Sequence, residues 1–364
     1  MSAVKGEDLI AAIRARPAMY VGGTDSYRLH HLIWELVANV LDLVLAGRAT
    51  TIDVELHSDD SVSVRDDGPG MSVDPSSPAF LEKVFTEVHE TPTADGHAPH
   101  VHIGRVGLGL APVCALSERV EVDVYREGTH YRQRFAQGYG TSPCEIVGAT
   151  SAHGTTVHLW PDRSIFTATF SSGLFERRLR ELAYLWPGLR TRFTRGTTER
   201  GPIASLEGLL PGAPGPRVLQ WERTGNAERA RGEAWTSSRI AVRWSGNEFA
   251  QGAQIRGFCN LEETRYGGTH LLGFQRGLGM ALGAVDPRGP SERAWKRRYL
   301  RVARDLEAVV AVMLVDPTYG EPTRERLDTP EATRMVEETV REGLATALRD
   351  EETWRTFFAK RLAT

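Results

Sequence analysis

The sequence has few cysteines, no long apolar run and no basic N-terminal segment. Its three cysteines, Cys114, Cys144 and Cys259, are an odd number and show no paired metal-binding spacing, which argues against a disulfide framework and suits a reducing compartment. No apolar stretch reaches the roughly 20 residues that span a bilayer, and the N-terminus lacks the basic and apolar parts of a signal peptide. We therefore expect a cytoplasmic protein without a membrane partner.

The sequence also has little net charge. The formal net charge is -3 over 364 residues, so a general attraction to nucleic acid or membrane is not expected, although a local patch could supply one. With 41% hydrophobic and 25% charged residues, the composition is that of an ordinary globular protein. The chain is long enough for two domains with separate cores.

The first part of the chain mixes helical patterns with strands that alternate in period two. Residues 7–16 form a predicted helix that ends before Pro17, and residues 29–46 form another that ends at Gly47. TIDVEL and SVSVRD are typical of a β-hairpin. A polar, lid-like stretch at 72–106 has one helical part near 81–88, and it precedes three further strands, RVEVDVYR, HYRQRF and GTTVHLWP, and a helix through FERRLRELAYL. We predict an α+β domain over residues 1–203 with a mostly antiparallel sheet.

A stretch rich in glycine and proline, GPIASLEGLLPGAPGPRV, marks the expected domain boundary. Beyond it, RIAVRW, QIRGFCNL and VVAVMLVD are predicted strands and GTHLLGFQRGLGMAL is a predicted helix. This order indicates a second α/β unit over residues 204–364 with at least one βαβ crossover. From Thr329, expected to cap a helix with Pro330 at its first position, we predict one long amphipathic helix to the end of the chain.

The helix at 29–46 carries its polar side chains in one stripe. At 100° per residue, His31, Glu35, Asn39 and Asp42 lie within an arc of about 80° on one face, while leucines and valines occupy the rest. A stripe of this kind is by itself more often a solvated face than a site, because surface helices are amphipathic. The loops that follow in the sequence favour a site.

Two glycine-containing loops follow this helix. In Asp66-Asp67-Gly68-Pro69-Gly70-Met71, the glycines let the backbone approach a ligand and an aspartate can accept from an amino group. Gly104-Arg105-Val106-Gly107-Leu108-Gly109 leads into the apolar LAPVCALS, so a glycine-rich loop opens a helix and offers N–H groups to a phosphate. Either loop alone is weak evidence, since glycines commonly serve tight turns. Their order after the acid-amide helix is the more specific signal.

That order resembles the GHKL nucleotide-binding family of gyrase, the heat-shock chaperone ATPases, mismatch-repair MutL and the histidine kinases. Within it, several segments are similar, in order, to the ATPase and transducer regions of the DNA gyrase B subunit: RPAMYVGGTD, LHHLIWELVANVLDLVLAG, SVRDDGPGM, VGLGLAPVCALS, HYRQRF, GTTVHLWP, GGTHLLGF and VDPTYGEPTRERL. The resemblance implies a GHKL α/β sandwich that binds ATP, followed by a ribosomal-S5-like transducer domain with a long C-terminal helix.

The resemblance also implies a role for individual residues. Glu35 would be the general base for the attacking water, supported by His31, and Asn39 would hold Mg²⁺ on the triphosphate. Asp66 would accept from the adenine amino group, with Thr155 behind it through a water. Gly70 would lie against the base, and Gly107 and Gly109 would line the phosphates. Further nucleotide contacts are expected from Gly68, Met71, Gly104, Val106, Leu108 and Arg132. For Arg132, a charge on the strand surface is an equally good interpretation.

The sequence departs from the family pattern at two cationic positions. The loop that sends a lysine to the γ-phosphate in the gyrase transducer reads Pro322-Thr323-Arg324 here, and a lid position that usually carries lysine is His100. Arginine contacts phosphate through paired N–H groups but is longer and planar, so geometry and rate would differ. The leading interpretation is a Mg-dependent ATPase that acts as an ATP-driven clamp or switch in a DNA-related process. The alternative is a nucleotide-binding regulator with little turnover that pairs with a protein such as a topoisomerase subunit.

Expectations about partners follow from the same resemblance. A nucleotide-dependent homodimer is plausible, although only about ten residues precede Ala11, where the family carries an arm that crosses to the partner. The chain ends without the cleavage domain of gyrase B, so we do not expect it to cut DNA, and a separate subunit could supply that step. A histidine kinase is disfavoured because the C-terminal half resembles a transducer.

Two further features have competing interpretations. The basic run RGPSERAWKRRYLRVARD, at residues 288–305, could contact DNA phosphates or form a solvated helix face. His97, His100 and His102 could bind a metal, but histidines scattered in a polar loop more often bind none.

Overall fold

The chain forms two compact units, Met1–Ile203 and Ala204–Thr364, in the computed structural model. The structure describes residues 6–73, 80–87, 110–195, 198–201, 203, 205–212, 217–229, 232–247, 249–250, 252–314, 317–320 and 325–363. Within this described part of the chain, every helix is too short or too polar to cross a membrane.

The first unit contains seven α-helices and nine β-strands among its described residues. In chain order they are α1 Gly6–Ala15, α2 Ala18–Val21, α3 Ser26–Leu29, α4 His31–Leu45, β1 Thr51–Leu56, β2 Val62–Asp66, α5 Phe80–Thr86, α6 Ala111–Ala115, β3 Ser117–Arg126, β4 Thr129–Ala136, β5 Tyr139–Gly140, β6 Glu145–Ala149, β7 Gly154–Pro161, α7 Ser172–Leu185, β8 Arg190–Phe193 and β9 Thr198–Arg200.

The nine strands form one sheet in the order β5-β4-β3-β7-β2-β1-β8-β9, with β6 paired to β4. Neighbouring strands are antiparallel except β1 and β8, which run parallel. The predicted hairpin is confirmed, because Ile52 pairs with Asp66 and Leu56 with Val62 across β1 and β2. The mostly antiparallel sheet expected from the period-two pattern is therefore present.

Helix α4 lies on this sheet because its apolar residues cover one face of the strands. Val64, Val122 and Val157 share a row on β2, β3 and β7, and all are buried. α4 contacts β1 and β2, and its Leu32 and Ile33 are fully buried. Each such side chain contributes about 1.5–3 kcal/mol through removal from water. The polar stripe of α4 is thus held at a fixed place over the sheet.

The C-terminal end of α4 is closed by the glycine that the sequence indicates. Gly47 has φ 69°, and its N–H donates to the Val44 carbonyl at 3.0 Å. The Arg48 N–H donates to the Leu43 carbonyl at 2.8 Å. This pair of bonds is a Schellman motif, which satisfies the last carbonyls of a helix.

The second unit is a five-stranded sheet covered by helices. Its elements are β10 Leu219–Arg229, β11 Gly232–Trp244, β12 Gln254–Cys259, β13 Glu262–Glu263, α8 Thr269–Ala281, α9 Trp295–Val302, β14 Leu306–Met313, α10 Pro330–Asp350 and α11 Glu352–Ala363, with short 3₁₀ turns at Glu207–Leu209, Leu282–Ala284 and Glu292–Ala294. The strand order is β10-β11-β14-β12-β13. β12 and β14 are parallel and are joined through α8 and α9, which confirms the predicted βαβ crossover.

The single long C-terminal helix expected from the sequence is not found. The chain leaves helical geometry at Glu351, with φ -125° and ψ 109°, and α11 starts afresh at the next residue. The reason is tertiary: Trp354 and Phe358 of α11 are buried against Trp244, at ring-centroid distances of 5.8 and 4.9 Å. Thr329 precedes the helix as expected but does not cap it with its side chain, since its hydroxyl accepts from the Thr318 N–H at 2.8 Å.

Candidate nucleotide site

The polar stripe predicted on α4 is present, and its members differ in burial. His31, Glu35 and Asn39 are half-buried, whereas Asp42 is only 2% exposed. The Asn39 side-chain nitrogen Nδ2 is buried and makes no hydrogen bond to any described residue. A buried amide without a partner costs free energy. Asn39 is therefore placed as a ligand-binding side chain would be, half open and with its amide nitrogen not committed to the protein.

His31 begins the helix and lies one turn before Glu35. Its ring packs edge-on against Tyr27, with centroids 5.6 Å apart, and its Nε2 lies 3.5 Å from an Arg28 guanidinium nitrogen. These contacts fix the ring at the N-terminal end of the stripe. Its support of Glu35 stays a prediction.

Asp66 is a nearly buried carboxylate at the end of β2, with 6% exposure. Its Oδ1 accepts from the Gly68 N–H at 2.8 Å, and its Oδ2 accepts from the Thr155 N–H at 3.2 Å. Burial raises the pKa of Asp66 to about 6, against the lowering effect of these two backbone donors. A carboxylate has about four acceptor positions, so Asp66 keeps room for a donor from a ligand.

Asp67, the next residue, has the opposite character. Its Oδ1 accepts from the N–H groups of Thr50 and Thr51, each at 2.8 Å, and its Oδ2 accepts from their hydroxyls at 2.6 and 3.0 Å. Burial would raise the pKa of Asp67, but these hydrogen bonds outweigh it and hold the pKa below its ordinary value. All its acceptor capacity is used to tie the turn to the start of β1. Of the two adjacent aspartates, Asp66 alone is left to recognise a ligand.

The glycines around Asp66 are required by close backbone approach. Gly154 has φ 106°, and a Cβ there would lie 2.0 Å from the Asp66 carbonyl oxygen. A Cβ on Gly68 would lie 2.8 Å from Asp66 Oδ1, and one on Gly70, at φ 79°, would lie 2.8 Å from the Tyr125 carbonyl oxygen. The need for glycine at 70 is therefore explained by packing on β3, and its contact with a base stays a prediction.

Thr155 and Met71 complete this side of the turn. The Thr155 hydroxyl accepts from the Met71 N–H at 3.0 Å, while the Thr155 backbone donates directly to Asp66. His153 Nδ1 lies 3.2 Å from the Gly68 carbonyl, and an Arg126 guanidinium nitrogen donates to the Gly70 carbonyl at 3.1 Å. The turn is thus held from both sides, which keeps the Asp66 carboxylate in one orientation.

Arg132 lies in a different row of the sheet from Asp66. Cross-strand pairing aligns Arg65, Thr156, Asp123 and Arg132, and this row alternates with the row of Val64, Val122 and Val157. Its Nε donates to Asp123 Oδ1 at 2.7 Å. Of the two interpretations of Arg132, a strand-surface charge fits this placement better, and a role at the pocket rim is not supported by a contact of the described residues.

Several predicted site residues lie outside the described part of the chain: Gly104, Val106, Gly107, Leu108, Gly109, His97, His100, His102, Pro322, Thr323 and Arg324. The apolar segment after the glycine loop does form a helix, α6, as expected. Among described residues, no group of three or more His, Cys, Asp or Glu side chains could hold a metal ion.

The basic run at 288–305 is not a uniformly exposed face, because one of its cations is buried and others bond within the second unit. Arg298 is fully buried: its Nε donates to Asp286 Oδ2 at 2.9 Å, and its other nitrogens donate to three carbonyls at 2.7–3.0 Å. Arg288 and Arg301 donate to the carbonyl of Leu362 in the last turn of α11. These arginines stabilise the second unit. Arg288 is nevertheless exposed, as are Arg293, Lys296, Arg297 and Arg304, and Arg297 also donates to Asp286 at 3.3 Å.

Sequence reasoning missed three residues that shape the site: His30, Asp67 and His153. The doubled His30-His31 and Asp66-Asp67 were visible signals, but nothing in the sequence says which member of each pair faces inward. His153 carries a signal only in its position before Gly154.

The fold and the turn together define the class of protein. A model described as "Histidine kinase-, DNA gyrase B-, and HSP90-like ATPase" matches residues 24–165, which include α4, Asp66 and Thr155. The first unit is therefore an ATPase domain of the GHKL type.

The second unit makes the assignment more specific. A family model described as "DNA gyrase B" matches residues 218–362. The DNA gyrase B subunit of Thermotoga maritima is 33% identical, over 91% of this chain and 54% of its own, and the DNA topoisomerase 4 B subunit of Caulobacter vibrioides is 33% identical, over 91% and 50%. The chain belongs to the gyrase B family of GHKL ATPases. It spans about half the length of the curated relatives it matches.

Solved structures agree with this assignment. The ATPase domain of Thermus thermophilus gyrase B, determined in complex with an aminocoumarin, has a TM-score of 0.69 at 28% identity and covers 97% of this chain and 93% of its own. The B subunit of Myxococcus xanthus DNA gyrase has a TM-score of 0.75 at 22% identity, with 97% and 99% coverage, and supports the fold alone.

Proposed function

We propose that the protein binds ATP with Mg²⁺ at α4 and the Asp66 turn, hydrolyses it, and uses the cycle as a conformational clamp or switch in a DNA-related process. The observation that carries this proposal is the buried Asp66 carboxylate, oriented by Gly68 and Thr155 while its neighbour Asp67 is fully engaged elsewhere. Membership of the gyrase B family supports the same activity and does not favour a regulator with little turnover.

The residues present fit the proposed ligand. An adenine amino group would donate to Asp66, which uses only part of its acceptor capacity. Asn39 would ligate Mg²⁺ through its side-chain oxygen, and its Nδ2, which has no partner among the described residues, would be left to donate to the ligand. Mg²⁺ usually takes few protein ligands and binds mainly through substrate phosphates. When bound, the metal would neutralise charge on the triphosphate. Glu35, on the same helix face, would accept the proton of the attacking water, with His31 beside it.

Steady-state ATP hydrolysis by the wild type and by Glu35→Gln tests this proposal. We expect the variant to bind ATP normally but to lose roughly 10²–10⁴-fold in kcat, the contribution of a general base. Leu32→Val, one turn away on the buried face of α4, is the control for a small disturbance of the helix. Equal rates for wild type and Glu35→Gln would refute the assignment of Glu35.

We further propose two partners, a second copy of the chain and DNA. Dimerisation should appear as a doubled mass in sedimentation with a non-hydrolysable ATP analogue and not without nucleotide. DNA would bind the exposed cations in and around α9, so replacing Arg293, Lys296 and Arg304 by glutamine should lower the affinity and reduce the dependence of log K on log salt by about 0.9 for each lost phosphate contact. An unchanged salt slope would remove α9 from the DNA interface.

A further inference from the structure

His30 is a fully buried histidine between α3 and α4, immediately before the first residue of the polar stripe. No role is assigned to it by the sequence pattern. Its backbone carbonyl accepts from the N–H groups of Ile33 and Trp34, both at 3.0 Å, so His30 is where the helix begins. The position of its ring therefore bears directly on the position of α4.

The ring of His30 is hydrogen-bonded at both nitrogens. Nδ1 lies 2.6 Å from the Ser26 carbonyl, one turn earlier, and must donate because a carbonyl only accepts. Nε2 accepts from the Ser171 N–H at 2.9 Å, whereas the Ser171 carbonyl is farther away at 3.4 Å. This pattern requires the neutral imidazole with its proton on Nδ1. The ring thus joins α3 to Ser171, the residue that precedes α7.

Aromatic side chains enclose the same ring. Phe175 and Phe170 lie at centroid distances of 4.9 and 5.3 Å, and Trp34 of α4 lies at 6.1 Å. Burial lowers the pKa of His30 below its ordinary value, which keeps the ring neutral. In an enclosed, low-dielectric place, hydrogen bonds are strong and their loss is costly. The His30 ring is therefore held in one orientation.

We propose that His30 is a positioning residue for ATP hydrolysis, which locks the N-terminal end of α4 onto the start of α7 and thereby sets where Glu35 stands. The inference rests on the proposed role of Glu35. Because His30 has no exposed surface, it is not placed to contact a bound nucleotide directly. Glu35 follows it by five residues, about 7.5 Å along the helix axis, so a small shift of the helix start moves the carboxylate. A displacement of about 1 Å at a catalytic group can cost 10²-fold in rate.

The test uses two substitutions that keep different parts of the link between α4 and Ser171. In His30→Gln, the amide oxygen can still accept from the Ser171 N–H, while His30→Leu keeps the bulk and no hydrogen bond. We expect His30→Leu to lose roughly 10–10²-fold in kcat, and His30→Gln to recover a substantial part of that loss. The affinity for adenosine should stay at the wild-type value in both, because Asp66 lies on β2. His158→Gln, in a half-buried histidine on β7 that contacts Ser61, is the matched control and should leave kcat unchanged.

A double-variant cycle separates positioning from general damage. If His30 acts through Glu35, His30→Leu should lower the residual rate of Glu35→Gln by much less than it lowers the wild-type rate. Equal losses in both backgrounds, a parallel fall in adenosine affinity, or full activity of His30→Leu would each overturn the inference. If wild type and Glu35→Gln hydrolyse ATP equally, the proposed ATPase mechanism fails first, and the role of His30 fails with it.

Discussion

The proposed contact between Asp66 and adenine makes the expected affinity depend on pH in a range where most carboxylates are already ionised. Its pKa is raised from 3.8 to about 6 by burial, and only the ionised form can accept from an amino group at every remaining lone pair. Protonation would place an O–H where the ligand must donate. We therefore expect affinity to fall as the pH falls through 6.

The size of the effect follows from the fraction of ionised Asp66. With a pKa of about 6 in the unliganded protein, about one molecule in eleven carries the ionised carboxylate at pH 5, and nearly all do at pH 8. The dissociation constant should be about tenfold larger at pH 5 than at pH 8, which corresponds to about 1.4 kcal/mol. The neighbouring Asp67, whose pKa lies below its ordinary value, stays ionised over this range and contributes no step.

The assay is calorimetric titration with adenosine, which has no phosphate to titrate, from pH 5 to pH 8. Asp66→Asn is the control, since an amide does not titrate: its affinity should be weaker and independent of pH. Near-ultraviolet circular dichroism at each pH shows whether the fold persists. A wild-type dissociation constant that is the same at pH 5 and pH 8 in folded protein would refute the reasoning.

The raised pKa of Asp66 also makes the stability of the unliganded protein depend on pH. Between pH 3.8 and about 6, the folded state binds the proton more tightly than the unfolded state does, so the stability of the unliganded protein falls as the pH rises through this window. The full cost above pH 6 is about 3 kcal/mol at 1.36 kcal/mol per pKa unit. Asp66→Asn removes this cost but sets an amide N–H₂ against a backbone N–H, so its net gain at pH 8 should be smaller than that.

Three other perturbations have results that the structure fixes in direction. Gly154→Ala should destabilise the first unit by at least about 3 kcal/mol, because its Cβ would lie 2.0 Å from the Asp66 carbonyl oxygen. Gly128→Ala, at φ 79° with nothing within 4 Å, should cost about 1–2 kcal/mol of backbone strain alone. Urea unfolding measures both free energies, and equal costs would contradict the clash. Arg298→Met should lower the free energy of unfolding by about 3–5 kcal/mol, because it leaves Asp286 buried without its main partner. The control Arg334→Ala, in an exposed i,i+4 pair, should leave the melting temperature unchanged. A stable Arg298→Met variant would show that Asp286 finds other partners. Burial lowers the pKa of His270 to about 3, so the unfolded chain takes up a proton below pH 6.5 that the folded state excludes. His270→Gln should therefore reduce the loss of stability between pH 7 and pH 5 by about 2 kcal/mol. Identical dependence of stability on pH in the two proteins would refute this.

Local patterns predicted much of the fold because their causes are local. The Schellman end of α4 at Gly47 and the β1–β2 hairpin follow from periodicity and turn chemistry within a few residues. The crossover between β12 and β14 follows from the order of local strand and helix patterns. The break at Glu351 does not. An amphipathic pattern runs through it, and the chain bends because Trp354 and Phe358 pack on Trp244, more than one hundred residues away in the sequence.

Burial was equally hard to predict for charged residues. The basic run contains both exposed cations and Arg298, which is fully buried. A guanidinium can be buried when its donors are paired, and its partners here include Asp286 and the carbonyls of Gly279, Gly289 and Ser291. None of these lies at a spacing that a sequence pattern reports. The composition of the run therefore did not show which of its cations is buried.

Two pairs of adjacent identical residues in the proposed site have different hydrogen-bonding environments. In each of the pairs His30-His31 and Asp66-Asp67, one residue uses its hydrogen-bonding capacity on other parts of the protein, whereas His31 is half-buried and Asp66 keeps spare acceptor positions. Period and spacing cannot distinguish the members, because both have the same chemistry and lie next to each other. What distinguishes them is the supply of donors from other elements: Thr50 and Thr51 for Asp67, and Ser171 for His30. In the proposed mechanism, Asp66 and His31 act on the nucleotide, and their neighbours Asp67 and His30 hold the backbone beside them.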